Sequence, residues 1–252
     1  MLKTGMPVFY NSGMNIQYVT MFPENYDSFL SSVLIARAQK KGIISFYVAD
    51  IRDFADGSYR HIDDSVYGGG AGMVLRCEPV VKAIRSVKTE KSHVILMDPA
   101  GTVYSQKKAH ELSKMEDLIF VCGHYEGFDA RIYDEADEII SLGDFILSGG
   151  ELASQIITDS IVRLKDGILR KASTEEESFE MPRLEYAQYT RPVDFEGKKV
   201  PEVLLSGNHE KIHEWRVLSA LHRTMQYRPD LLTAYPMNEE EKKLYEAEKE
   251  KK

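Results

Sequence analysis

The sequence predicts an α/β domain built on a mostly parallel sheet, followed by a small all-helical domain, and three observations carry that expectation. From Asn15 to about Leu169, short runs rich in β-branched and aromatic residues alternate with amphipathic helical stretches, the pattern of strands joined by helical crossovers. Each strand-like run ends in a turn built from glycine, proline or a carboxylate. Beyond about Phe179 the chain keeps a 3.6-residue period and offers no convincing strand.

Taken in order, NIQYVTMF reads as the first strand. ENYDSFLSSVLIARAQKKG then carries apolar residues at helical spacing and reaches its lysines just before Gly42, a normal helix stop. IISFYVADI, HVILMDP, DLIFVC and DEIISLG are the following strands, with helices expected over 78–87, 105–115 and 150–165. In RKASTEEESFE the periodicity disappears and charge dominates, which marks a linker or a loop. Next, EVLLSGNHEKIHEWRVLSALHRTMQYRPDLL puts Ile212, Trp215, Leu218 and His222 on one helical stripe. In the closing NEEEKKLYEAEKEKK the acids lead and the lysines trail, as the helix dipole favours, so it reads as a solvated helix or frayed end. The expected boundaries are an N-terminal extension over 1–13 without the apolar core of a secretory leader, an α/β domain over 14–169, a flexible linker over 170–178 and a helical domain over 179–252.

Composition narrows the class. Of 252 residues, 43% are apolar and 29% charged, and no stretch approaches the roughly 18 apolar residues of a membrane helix. A cytoplasmic protein with no membrane partner is expected. A net charge of −8 argues against non-specific coating of nucleic acid, which rests on phosphate neutralisation, but leaves room for a local basic face. Cys77 and Cys122 are too few for a disulfide framework and lie in apolar sequence, so both read as reduced, buried small residues.

Three groups of residues carry chemistry. DDSVYGGGAGMV, residues 63–74, has glycine at four of five positions and a backbone able to approach a ligand closely. It matches no standard phosphate loop, because Met73 stands where a dinucleotide fingerprint needs its third glycine. A surface loop is the plainer reading, with Asp63 and Asp64 left to bond a base edge, bind a cation or cap a turn. HEKIH, residues 209–213, matches the H-E-x-x-H zinc pattern, but His209 opens its helix and no third ligand stands at a recognised spacing. A zinc hydrolase is therefore the outlying reading.

The third group is the loops MDPAG (97–101), GHYEGFD (123–129) and SLGDFILSGGE (141–151), each following a strand. Ligands of open α/β sheets bind where such loops converge beyond the strands' carboxyl ends. Glycine backbone supplies N–H and C=O groups, and Leu96, Tyr125, Phe145 and Leu147 supply apolar or stacking surface. Positive charge is scarce, which suits a nucleoside without phosphates, one whose cationic part is welcomed by Glu126 or Asp144.

DDSVYGGGAGMV, CGHYEGFDAR, SLGDFILSGGE, ESF, QYTRP and LLSGNHEKIHEWR follow one another in an order that resembles the bacterial tRNA (guanine-N1)-methyltransferases of the TrmD family, from about Met14 to the tail. The resemblance implies a SPOUT methyltransferase whose α/β domain carries a C-terminal trefoil knot, with S-adenosylmethionine bent inside it. On that reading the cofactor is held by Leu96, Met97, Asp98 and Pro99, by Gly123, Tyr125, Glu126 and Gly127, by Leu142, Gly143, Asp144, Phe145, Ile146 and Leu147, and by Gly149 and Gly150. It further implies a homodimer with its active site across the interface, tRNA as partner, and methylation of N1 of the guanosine immediately 3′ of the anticodon (position 37) when another guanosine precedes it.

Neutral guanine carries a proton on N1, so a base must remove it, and the charge that then develops on O6 needs a cation. The resemblance assigns these roles to Glu177, where the family has aspartate, and to Arg163; Glu176 or a metal-bound arrangement is the alternative base. Glutamate keeps the carboxylate but is one methylene longer, which also opens the reading of a tRNA-binding relative with weakened or lost catalysis. Asp63 is expected to read the neighbouring guanosine, Arg216 and Arg223 to face phosphate or form surface ion pairs, and Glu126 to be a possible ligand of the family's Mg²⁺. Val66, His124 and Leu96 stand where many members have proline, arginine and tyrosine.

Overall fold

The computed structural model describes residues 13–169, 177–180 and 182–250. Expectations that fall on 1–12 and 170–176, Glu176 included, lie outside the described residues. The chain divides into two compact units, 1–169 and 170–252.

The first unit opens with β1 (Met14–Thr20), the short helices α1 (Asp27–Leu30) and α2 (Val33–Lys40), and β2 (Ile44–Asp50). An antiparallel hairpin of β3 (Asp63–Ser65) and β4 (Met73–Leu75) precedes α3 (Cys77–Val87). Then follow β5 (Ser92–Val103), α4 (Gln106–Leu112), β6 (Asp117–Cys122), β7 (Glu138–Ser141) and α5 (Glu151–Arg163). The main sheet has the order β2-β1-β6-β5-β7, and every neighbouring pair is parallel. β6 is buried along its whole length, as the continuous apolar run DLIFVC requires of a strand covered on both faces. One face packs Tyr18, Phe120, Ile157 and Ile161 with α2 and α5, and the other packs Val80, Ile84, Leu96 and Val121 with α3. Buried hydroxyls stay paired: Tyr18 Oη lies 2.8 Å from Thr158 Oγ1 and Tyr26 Oη 2.7 Å from Ser154 Oγ.

Two elements depart from the sequence reading. The single helix expected after β1 is broken at Ser31–Ser32, where the Ser31 hydroxyl donates to the carbonyls of Asp27 and Ser28 and Ser32 turns extended (φ −61°, ψ 152°). β5 does not stop at Pro99 but resumes beside β7 at Thr102 and Val103 after a register shift that begins at Met97. Residues 98–101 bulge from its middle, and only glycine fits at 101, where a Cβ would lie 2.5 Å from the Ile139 carbonyl carbon.

Cys122 is buried, whereas Cys77 is partly exposed, which corrects the expectation that both are core residues. Burial, followed by the charge of Glu151, pushes the Cys122 thiol up to about 12.

In the second unit, helices run over Glu202–Leu205, His209–Tyr227, Pro229–Ala234 and Glu239–Glu250. A two-residue hairpin that the sequence reading missed pairs Asp194–Phe195 with Lys198–Lys199, turning through Glu196 (φ 54°) and Gly197 (φ 80°). The long helix buries Leu221 and Thr224, while Ile212, Trp215, Leu218 and His222 are half-buried. The helix packs against extended chain: the Thr224 hydroxyl accepts from Leu184 N (2.9 Å), and the Ser219 hydroxyl accepts from Ala187 N (2.9 Å). Nor is the tail merely solvated, since Glu241 is 5% exposed and bonded to Arg183. Among the described residues, no helix is long and apolar enough to cross a membrane.

Candidate functional site

A cleft of about 260 Å³ opens at the carboxyl ends of β6 and β7 beside the bulge of β5. Its walls are the three glycine-rich loops of the sequence analysis. In the middle loop, Gly127 N donates to the His124 carbonyl (3.0 Å), and Tyr125 takes a left-handed φ of 59°, uncommon for a side chain of its size. The third loop returns against the end of β6: Gly150 N donates to the Gly123 carbonyl (2.9 Å), and His124 bridges to Gly149. In the first, Asp98 accepts from Ala100 N and from the Tyr133 hydroxyl, both at 2.8 Å. Partial burial, then the bonded Asp98 carboxylate, push the Tyr133 phenol up to about 12.

Met97, Asp98, Pro99, Gly123, Tyr125, Glu126, Gly127, Leu142, Phe145, Ile146, Leu147, Gly149 and Gly150 line this cleft. Leu96, Gly143 and Asp144 do not. Strand alternation explains the first: Met97 faces the cleft, so Leu96 points to the opposite face and is fully buried among Val80, Ile84 and Val121. Among the lining residues that sequence reasoning missed are His124, Ser141, Ser148 and Ala153. Their signal was position alone, inside or beside the quoted loops.

The glycine-rich 63–74 segment is a surface loop that lies outside the cleft's lining. Gly68, Gly69, Gly70 and Gly72 all have positive φ and are exposed. Its base is nevertheless tied to the cleft, since Glu126 N donates to the Met73 carbonyl and Leu75 N to the Gly127 carbonyl, each at 3.0 Å. Gly72 lies so close under Glu126 that a Cβ there would sit 2.5 Å from Glu126 Cγ. Asp63 is half-buried opposite Leu75, and Arg163 ends α5, half-buried.

On the second unit, Glu177 is half-buried and its carbonyl accepts from Glu180 N (3.2 Å). The Arg216 guanidinium lies 4.7 Å from the Tyr186 ring centroid. Arg223 is exposed and donates from Nε to the Glu185 carbonyl (2.9 Å). The HEKIH pair is spent differently from a zinc site: Asn208 caps the helix by accepting from Lys211 N, and exposed His213 lies 3.0 Å from Glu240. Among the described residues, no three His, Cys, Asp or Glu side chains converge on a metal position.

A glycine-walled cleft at the carboxyl edge of a parallel α/β sheet, lined by Asp98 and Glu126 and, among the described residues, by no Lys or Arg, is the ligand site of an α/β domain and is ill suited to a phosphate. Residues 14–234 match the family model described as tRNA (Guanine-1)-methyltransferase TrmD. The chain is 48% identical over 244 residues to a tRNA (guanine-N(1)-)-methyltransferase of Geobacillus kaustophilus, covering 94% of this chain and 100% of the relative. Relatives of the same name from Clostridium botulinum and Dictyoglomus turgidum are 50% and 47% identical, each over 92% of this chain and over 97% and 96% of their own lengths. The chain belongs to the TrmD family of tRNA (guanine-N1)-methyltransferases.

Proposed function

We propose that this protein methylates N1 of the guanosine immediately 3′ of the tRNA anticodon, with S-adenosylmethionine as the methyl donor. Family membership over nearly the whole chain carries the reading. The cleft fits that cofactor: its donors are mostly backbone groups of glycine-rich turns, its apolar lining includes Phe128, Ile140, Leu142 and Ala153, and among the described residues no Lys or Arg lines its walls. When bound, the cofactor supplies an electrophilic methyl on a sulfonium. Residues 97–99, 123–127, 141–142 and 145–150 grip and orient it, and family membership supports the SPOUT trefoil knot as their arrangement. Glu177 takes the N1 proton, Arg163 stabilises the charge that develops on O6, and Asp63 reads the preceding guanosine. Arg223, exposed on its helix, and Arg216 engage phosphate.

A homodimer completes the site. Leu152 (58% exposed) and Ile156 (54% exposed) form an apolar stripe on the outer face of α5, which a second copy covers. Among the described residues Glu126 belongs to no cluster of three His, Cys, Asp or Glu side chains, so the residues present do not fit a protein-built Mg²⁺ site.

The direct test is transfer of labelled methyl to unmodified tRNA carrying guanosine or adenosine after the anticodon. Incorporation should require guanosine; equal incorporation with adenosine refutes the assignment, and tight tRNA binding without incorporation marks a relative that has lost catalysis. The cleft makes its own prediction. A Cβ on Gly150 would lie 2.8 Å from Cys122 Cα and 3.0 Å from Met97 Cβ, both on core strands that cannot yield. Gly150→Ala is expected to weaken calorimetric binding of S-adenosylmethionine by tenfold or more, on the order of the 1–3 kcal/mol of an overpacked core.

A further inference from the structure

Glu151 is 4% exposed, yet among the described residues no basic side chain pairs with it. A hydroxyl bonds it instead: Thr20 Oγ1 donates to Oε1 at 2.6 Å, and Thr20 Oγ1 in turn accepts from Phe22 N at 3.0 Å. The first turn of α5 offers only a partial positive charge to offset it. A carboxylate withdrawn from water without a cation is strongly unfavourable, so a position that keeps one needs a compensating charge. That charge can arrive through the cleft. Gly149 lines the cleft beside His124, and a Cβ built on it would collide with both Glu151 Oε2 and the His124 ring, so the carboxylate packs directly behind the cleft wall. The charge also reaches the core behind the cleft, where it helps raise the Cys122 thiol.

We propose that the buried Glu151 carboxylate is a charge-specificity residue of the cofactor cleft, favouring the sulfonium of S-adenosylmethionine over the neutral thioether left after transfer. This rests on the function proposed above. As methyl carbon bonds N1 and the C–S pair returns to sulfur, the positive charge vanishes, and Glu151 then ceases to favour the bound product. Because it stabilises the cofactor's ground-state charge, it contributes to affinity and not to the rate of the chemical step.

The test is calorimetric, on the full-length protein and its Glu151→Gln variant, with three ligands: S-adenosylmethionine, S-adenosylhomocysteine and an analogue bearing an ammonium at the sulfur position. The variant should bind both cations about tenfold more weakly and the thioether within twofold of the unaltered protein. In steady state its KM for S-adenosylmethionine should rise with kcat not reduced. Equal loss for all three ligands, or no loss for any, overturns the proposal. Glu151→Asp keeps the charge and should keep most of the discrimination; a ratio that falls as far as in Glu151→Gln shows that shape governs and also overturns it. Failure of the unaltered protein to bind any of the three would instead remove the proposed function itself.

Discussion

Glu177→Gln should lower the single-turnover rate of methyl transfer by roughly 10²–10⁴-fold, the range for loss of a positioned general base, while calorimetric affinity for S-adenosylmethionine stays within twofold. The amide matches the carboxylate in size and can still accept a hydrogen bond, but it cannot hold the proton that leaves guanine N1. The proposed cofactor cleft lies in the first unit, whereas Glu177 stands on the second, so the two measurements separate chemistry from assembly. The companion variant Glu177→Asp shortens the reach by one methylene, and displacement near 1 Å costs about 10²-fold when geometry is already correct. A working glutamate therefore predicts that aspartate is no faster than wild type by more than about tenfold. A gain of several hundredfold on making aspartate would show a degenerate site, and an unchanged rate in Glu177→Gln would remove the residue from the mechanism.

The five sheet strands were readable because each is a short apolar run closed by a turn residue, and β6 is the clearest case. Where sequence reasoning failed, a local competitor or a tertiary contact decided the outcome. The Ser31 hydroxyl bonds the carbonyls of Asp27 and Ser28 and Ser32 turns extended, so α1 and α2 separate within an otherwise helical pattern. β5 continues past its proline because Gly101 allows close contact with β7, a packing fact with no periodic signature. The cleft loops are legible from glycine, aromatic and carboxylate turns, whereas the side chain of Leu96 points away from the cleft by strand alternation, a period that a loop motif does not carry. Glu151 was invisible for the converse reason: a glutamate at a helix start looks like ordinary dipole chemistry until its burial is seen. The proposed knot and the proposed roles of Glu177 and Arg163 rest on family membership alone, because neither periodicity nor spacing announces them.

Glu241→Ala should destabilise the second unit by about 3–5 kcal/mol, the cost of leaving one member of a buried ion pair alone. The two side chains are 8% and 7% exposed, with Arg183 Nε 2.7 Å from Glu241 Oε1 and Arg183 Nη2 2.8 Å from Oε2. The remaining guanidinium donors go to carbonyls of Pro182, Tyr235 and Pro236. Glu241 also closes a reciprocal cap with Asn238: Glu241 N donates to Asn238 Oδ1 (2.9 Å), and Asn238 N donates to Glu241 Oε2 (2.8 Å). Removing the carboxylate thus strands a buried guanidinium and uncaps the last helix in one step. By contrast, the exposed pair His213–Glu240 lies in high-dielectric surroundings and should contribute at most about 1 kcal/mol. Urea unfolding followed through Trp215, which lies in the second unit, distinguishes the cases. Glu240→Ala should shift the midpoint little, Glu241→Ala should shift it greatly, and Arg183→Met with Glu241→Leu should recover much of the loss because no charge is then left unpaired. A Glu241→Ala midpoint as mild as that of Glu240→Ala would mean that the tail helix is held by its apolar contacts, with the buried pair contributing little.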